Sequence, residues 1–197
     1  MLFPFHVAKT NNPGNYTLQS SGKWESCKAV NRDSTCRIGL SGITVMTKDS
    51  TARLSVQMKR YFPVTNYSFD QVRIFYEDPD SAYQLHIKPN GIIQRDSSGM
   101  TVSLEQETDS LQLKIVKKHN RADSSFFYLY GFDVQNRKSV FTYHSVGVNG
   151  AKAKSYLRCQ QLPQQIESIQ PDWVIISLGT NEAYTKHYDQ EEFSRNL

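Results

Sequence analysis

The chain has neither a long hydrophobic run nor a block of like charge. No apolar stretch among its 197 residues approaches about 18, the length at which a segment becomes a candidate membrane-spanning helix. The first residues also lack the charged segment and the long apolar segment of a signal peptide. Lys and Arg number 23 against 19 Asp and Glu, and the net charge of +4 is spread along the chain. We therefore expect no membrane span and no nucleic-acid-binding surface.

Cysteine is also scarce. The three cysteines, Cys27, Cys36 and Cys159, form no Cys-x-x-Cys pair. At most one disulfide can form, with Cys27 and Cys36 the only local candidates, and free thiols are slightly favoured over that pairing. No cofactor is predicted. Four of the histidines are scattered and suggest no metal site: His6, His86, His119 and His144.

No helical period of useful length appears before residue 150. Residues 1–22 are rich in Asn, Pro, Gly, Ser and Thr, which favours turns and irregular backbone. From 23 to 138 apolar and polar residues alternate in short runs separated by turn residues, which predicts about eight half-buried strands in an antiparallel β-sandwich, similar to a jelly roll. The predicted strands include 38–46, 52–58, 71–76, 83–87, 100–105, 111–115 and 125–134.

Beyond residue 139 the period changes. Residues 141–184 have the pattern strand, loop, helix, strand, loop, and Pro163 should kink the helix or split it. The continuous apolar run 173–178 favours a strand covered on both faces, as in a parallel sheet. Two such strands and one helix cannot cover a sheet, so we expect exposed apolar surface and a free sheet edge here.

Two Gly- and Asn-containing loops follow these predicted strands, where open parallel sheets place their ligands. In Gly179-Thr-Asn181-Glu182 the Asn side chain can donate an N–H to a developing oxyanion, although an N-cap is the simpler interpretation of the tetrapeptide alone. In Val146-Gly-Val-Asn-Gly150 the unshielded backbone N–H of Gly150 is a second candidate donor. Together the two loops would form half of an acyl-transfer site.

The pair of loops resembles the second and third sequence blocks of the SGNH (GDSL-like) hydrolases, which are esterases and acylhydrolases. The resemblance implies a flavodoxin-like α/β/α fold, with Gly150 and Asn181 joining the backbone N–H of a nucleophilic serine in the oxyanion hole. Gly179, Glu182 and Tyr184 would then contact substrate. The family's usual Gly-x-Asn-Asp is Gly-Thr-Asn-Glu here, a variant of branches similar to bacterial peptidoglycan and polysaccharide O-acetylesterases.

Those branches carry an inserted β-sandwich similar to a carbohydrate-binding module, just before the second block. The resemblance therefore implies a mixed fold, an antiparallel jelly-roll-like β-sandwich followed by part of a flavodoxin-like α/β/α SGNH domain. It divides the chain into a lead-in segment belonging to the SGNH domain (1–22), the sandwich (23–138) and a partial SGNH domain (139–197). It also implies a periplasmic, cell-surface or secreted protein acting on a glycan or an acylated carbohydrate.

The family's Gly-Asp-Ser nucleophile motif and its Asp-x-x-His motif are absent from the 197 residues. We therefore expect the chain to be the middle of a longer protein and inactive alone. Ser145 is a weak substitute nucleophile because its surroundings lack the first glycine of a nucleophile elbow. His187 and Asp189 could pair as base and orienting carboxylate, but a solvated loop pair is the simpler interpretation.

An alternative function is a non-catalytic carbohydrate-binding module. Aromatic side chains of the sandwich could stack on sugar rings, although most of them are better explained as core or rim residues. The segment 126–132 is aromatic or apolar on both alternating faces, which predicts a central buried strand. The candidate stacking residues are Trp24, Tyr61, Tyr67, Tyr76 and Tyr83.

Overall fold

The computed structural model describes residue 2 and residues 14–31, 36–59, 67–119, 124–184 and 188–196. His6, Tyr61, His187 and most of the lead-in segment therefore lie outside the described residues. The described part contains ten strands in two antiparallel sheets. The strands are β1 (Tyr16–Ser21), β2 (Glu25–Lys28), β3 (Ile43–Thr47), β4 (Thr51–Met58), β5 (Phe69–Glu77), β6 (Tyr83–Lys88), β7 (Ile92–Asp96), β8 (Gly99–Thr108), β9 (Ser110–Lys117) and β10 (Phe127–Gln135).

The two sheets form a sandwich with one main core. One sheet has the order β1-β4-β9-β6 and the other the order β2-β3-β10-β5-β8-β7. Strand β4 illustrates why the sequence folds this way, because Leu54 and Val56 are buried while Arg53 and Gln57 on the opposite face are exposed. Period-two alternation places every second side chain on one face of a strand, and the apolar faces of the two sheets exclude water together.

The predicted central strand is confirmed. Strand β10 lies between β3 and β5 in the six-stranded sheet, and Phe127, Leu129 and Phe132 are fully buried. Leu2 adds an isolated antiparallel bridge to Phe132, with its N–H donating to the Phe132 carbonyl at 2.6 Å. Leu2 is thereby attached to the central strand of the six-stranded sheet.

Four short helices follow the sandwich among the described residues: α1 (Ala153–Tyr156), α2 (Leu162–Ile169), α3 (Thr180–Ala183) and α4 (Gln190–Arg195). The predicted helix is split as expected of a sequence containing Pro163. The proline lies in the first turn of α2, where its missing N–H has no intrahelical partner to lose. None of the described helices is long and apolar enough to cross a membrane.

The predicted mixed fold is wrong. All strand pairs of the described residues are antiparallel, and the segment after β10 contains no flavodoxin-like α/β/α arrangement. The strand predicted to begin at residue 141 and the strand predicted at 173–178 have no regular backbone pairing among the described residues. A parallel sheet requires neighbouring strands and covering helices, whereas α2 and the residues just before it are hydrogen-bonded to residues 38–40 and to Glu77 of the sandwich. The expected apolar exposure is present, since Trp173 is 89% and Ile175 88% exposed.

Two smaller expectations are also corrected. Residues 16–21 form the edge strand β1 rather than irregular backbone, because Tyr16 and Leu18 bury their side chains in the sandwich core. Cys27 and Cys36 form a disulfide, so the slight preference for free thiols is wrong. The two half-cystines come together because Cys27 lies in β2 and the chain turns back before β3. Such bonds persist in oxidising compartments.

Candidate functional site

The first candidate loop ends in a tight turn at Gly150. The N–H of Ala151 donates to the Val148 carbonyl at 2.9 Å, and Gly150 has a φ of 82°. This left-handed conformation favours glycine. Gly150 is exposed, and a Cβ added to it would meet no atom within 4 Å. The backbone at Gly150 therefore borders open space.

The loop is fixed to the sandwich by a small apolar cluster of its own. Val148 and Ala151 are buried and pack with Ile43 at the start of β3. Gly42 lets Val148 approach, since a Cβ at Gly42 would lie 2.6 Å from Val148 Cγ2. Strand β3 thus positions the turn at Gly150.

Asn181 joins the second loop to the first. Its side-chain Nδ2 donates to the Ala151 carbonyl at 2.7 Å, across 30 residues of sequence. A primary amide carries two N–H groups, so this bond leaves one N–H for another acceptor. The two residues assigned to the oxyanion hole, Gly150 and Asn181, consequently belong to loops that are in direct contact.

A second bond reinforces the connection. Glu182 is 9% exposed, and its Oε1 accepts from the Ala153 N–H at 2.6 Å. Because the first N–H groups of a helix have no partner within the helix, a carboxylate from another element is a suitable acceptor at α1. This hydrogen bond joins α3 to α1, and the assignment of Glu182 to substrate binding stays a prediction.

Gly179 and Tyr184 bracket the short helix α3. Gly179 has a φ of 116° and precedes the helix as its N-cap residue. Tyr184 follows the helix, and its side chain is 86% exposed. Asn181 is thus within α3 rather than its N-cap. The predicted contacts of Gly179 and Tyr184 with substrate remain predictions.

His144 pairs with a buried carboxylate rather than with Ser145. Its Nδ1 lies 3.6 Å from Oδ1 of Asp133, a β10 residue that is 2% exposed. Burial lowers the pKa of His144, although the neighbouring carboxylate favours the protonated ring. Ser145 is exposed and its side chain makes no hydrogen bond within the described residues. This geometry does not provide a serine with a base.

Two further side chains, Asp189 and Cys159, cap a helix or lie buried in the fold. Asp189 is the N-cap of α4, with its Oδ1 accepting from the Glu192 N–H at 2.8 Å. Cys159 is 3% exposed, and burial raises the pKa of its thiol to about 11, so it stays protonated near neutral pH. Among the described residues, no three His, Cys, Asp or Glu side chains are grouped as a metal site requires.

The proposed stacking aromatics belong to the core or its margin wherever they are described. Tyr76 stacks on Phe127 with ring centroids 5.4 Å apart, and Tyr83 contacts the same ring edge-on. Trp24 and Tyr67 are half-buried and pack against the core. The simpler interpretation of these four residues is thereby confirmed.

Three glutamines in α2 or just before it attach this helix to the sandwich, and the sequence did not indicate them. Gln160 Oε1 accepts from the Ile38 N–H at 3.0 Å, and Gln165 Oε1 accepts from the Leu40 N–H at 2.7 Å. Gln161 donates through its side chain to Glu77 of β5. Only Gln165 is buried among them, and its burial is not visible in the sequence, so no local signal indicated these contacts.

No model of a known protein family matches the chain, and no curated protein matches it. A solved structure of a peptidoglycan O-acetylesterase does match, with 18% sequence identity and a TM-score of 0.66. The match covers 95% of this chain and 49% of the other, so the chain spans about half the length of that protein. At this identity the likeness concerns the fold, and this chain is similar in fold to part of a peptidoglycan O-acetylesterase.

Proposed function

We propose that this chain is part of a serine esterase of the SGNH type, which removes acetyl or other small acyl groups from a bacterial glycan. The nucleophilic serine and the histidine base would come from segments outside these 197 residues. The single observation that carries the proposal is the direct contact between the loops of Gly150 and Asn181, made by the Asn181 Nδ2 bond to the Ala151 carbonyl.

The chemistry assigned to the two loops is stabilisation of negative charge. In ester hydrolysis the serine oxygen attacks the acyl carbon, and the carbonyl oxygen becomes an oxyanion until the sugar hydroxyl leaves. Two N–H groups aimed at that oxygen, from Gly150 and Asn181, would stabilise the tetrahedral intermediate. The open space at Gly150 and the second N–H of Asn181 support this role.

The fold and the disulfide support the glycan as substrate and a location outside the cytoplasm. The similar structure is that of a peptidoglycan O-acetylesterase, and the activity proposed here is of the same kind. The Cys27–Cys36 disulfide favours an oxidising compartment such as the periplasm or the cell surface. In this proposal the sandwich is the inserted module, and the exposed Tyr184 lies at the margin of the substrate site.

The proposal is tested in the protein translated from the complete reading frame. Hydrolysis of 4-nitrophenyl acetate and release of acetate from O-acetylated peptidoglycan are measured for the parent and for Asn181→Ala. Loss of one oxyanion donor should lower kcat by about 10²–10³ with little change in KM. An unchanged kcat would rule out the assigned role of Asn181.

The control separates this chemistry from the contact between the loops. Asn149→Ala removes an exposed amide next to Gly150 and should retain parental kinetics. Thermal unfolding of both variants reports whether loss of the Ala151 bond loosens the loops. If the reading frame contains neither a Gly-Asp-Ser nor an Asp-x-x-His segment, the esterase proposal fails and a non-catalytic module replaces it.

A further inference from the structure

The outward-facing side chains of β1, β4, β9 and β6 form one surface, here called the polar face. None of the residues in these four strands is Asp or Glu, whereas the strands of the six-stranded sheet carry seven. Arg53 and Lys88 are exposed on this face and Lys114 is half-buried, and none of the three has an ion pair within the described residues. The charge of the sandwich is therefore divided between its sheets, and this face has a positive potential.

Two of the cations lie directly opposite each other. The register pairs Arg53 of β4 with Lys114 of β9, and Lys114 in turn with His86 of β6. Like charges at opposed positions of neighbouring strands destabilise a sheet. A nearby carboxylate would relieve this repulsion, and the four strands provide none. An anionic ligand bound across the two strands would compensate the pair.

Beside the cations lies a row of amides and hydroxyls. Gln19, Ser55, Gln112 and Lys88 are register partners across β1, β4, β9 and β6. With strands about 4.8 Å apart, the row extends over about 14 Å. The row borders an open depression of about 700 Å³. Amide and hydroxyl groups both donate and accept hydrogen bonds, as the hydroxyl groups of a sugar also do.

We propose that the polar face binds an acidic glycan, with carboxylates of the polysaccharide at Arg53 and Lys114 and its hydroxyl groups along the row from Gln19 to Lys88. The acidic character follows from the charge of the face, and the choice of a glycan rests on the proposed function. A nucleic acid fits less well, because its phosphates need a denser set of cations and its bases need aromatic partners. Such a surface would hold an acidic glycan independently of the Gly150 and Asn181 loops.

The test uses the full chain and two unacetylated polymers, polygalacturonate and a neutral galactan of similar length. Affinity electrophoresis should give retardation by polygalacturonate only. Arg53→Gln with Lys114→Gln should raise the dissociation constant for polygalacturonate about tenfold or more, because two charge-assisted contacts are lost. Gln19→Ala with Gln112→Ala, which retains every charge, should also weaken binding.

The matched control removes the same charge elsewhere. Arg95→Gln with Arg195→Gln changes exposed arginines of β7 and α4 and should leave the dissociation constant within about twofold. Three results would overturn the proposal: no retardation by polygalacturonate, equal weakening in the control, or equally tight binding of a single-stranded oligodeoxynucleotide. Because neither polymer carries an ester, these results do not depend on whether the esterase proposal holds.

Discussion

Replacing Gly39 with alanine should loosen the helical segment from the sandwich. A Cβ at residue 39 would lie 2.7 Å from Tyr130 Cβ and 2.8 Å from Gln165 Oε1. Tyr130 Cβ is attached to the backbone of the central strand β10 and cannot yield. Gln165 can move away, but its Oε1 then loses the bond from the Leu40 N–H. The substitution therefore costs overpacking against Tyr130 and, because Gln165 must move away, a part-buried hydrogen bond as well.

The expected fall in the free energy of unfolding has two contributions. An extra methyl group in a well-packed interior costs about 1–3 kcal/mol, and loss of the Leu40 bond to Gln165 adds about 1 kcal/mol. The free energy of unfolding should therefore fall by about 2–4 kcal/mol. Urea denaturation followed by fluorescence of Trp24 and Trp173 measures the fall. Amide hydrogen exchange at Leu40 should also accelerate, since that N–H loses its acceptor.

Gly147→Ala is the matched control. A Cβ at Gly147 would meet no atom within 4 Å, so the same addition of one methyl group should leave the denaturation midpoint close to the parental one. If Gly39→Ala gave the same midpoint and the same Leu40 exchange rate as Gly147→Ala, the inferred packing of α2 against residues 38–40 would be refuted.

Three further predictions concern the sandwich and the segment after it. Replacing Cys27 and Cys36 with serine should lower the free energy of unfolding by about 2–3 kcal/mol, the loop-closure term for half-cystines nine residues apart, measured by urea denaturation. The backbone N–H of Arg137, and then its guanidinium, hold the pKa of Asp70 below its usual value, so these bonds stabilise the fold above about pH 4 and lose their effect as pH falls through the lowered pKa. Acid titration followed by circular dichroism should therefore show a smaller loss of stability in Asp70→Asn than in the parent. The exposed apolar segment 173–176 should cause the separate 197-residue chain to associate, and sedimentation velocity showing only monomer at high concentration would contradict this.

The strands of the sandwich could be predicted from the sequence where one face of the strand is exposed to solvent and the other is buried. Residues 52–58 alternate strictly, and β4 covers 51–58. Strand β7 was missed because all five of its residues are exposed, so Ile92 and Ile93 give no alternation. Strand β1 was missed because the turn residues before Tyr16 outweighed its short alternating pattern. A local sequence pattern therefore predicts a strand only where buried and exposed residues alternate along that strand in the tertiary structure.

The candidate site was predictable in its residues but not in its contacts. Gly150 and Asn181 stand out in sequence because glycine permits the left-handed turn and asparagine carries donors. Nothing local indicates that Glu182 accepts from the Ala153 N–H, because the two residues are 29 positions apart. Likewise, the attachment of α2 depends on backbone groups of residues 38–40 that no side-chain pattern records.

The apolar segments around 140–143 and 173–176 show why hydrophobic runs alone do not specify strands. A strand covered on both faces needs paired neighbours for its backbone and packed layers for its side chains. Within the described residues the helix between these segments is committed to the sandwich through Gln160 and Gln165, so it cannot cover them. Among the described residues nothing covers these segments, and under the esterase proposal, which places its serine and histidine outside the 197 residues, they would pack against that further part of the enzyme.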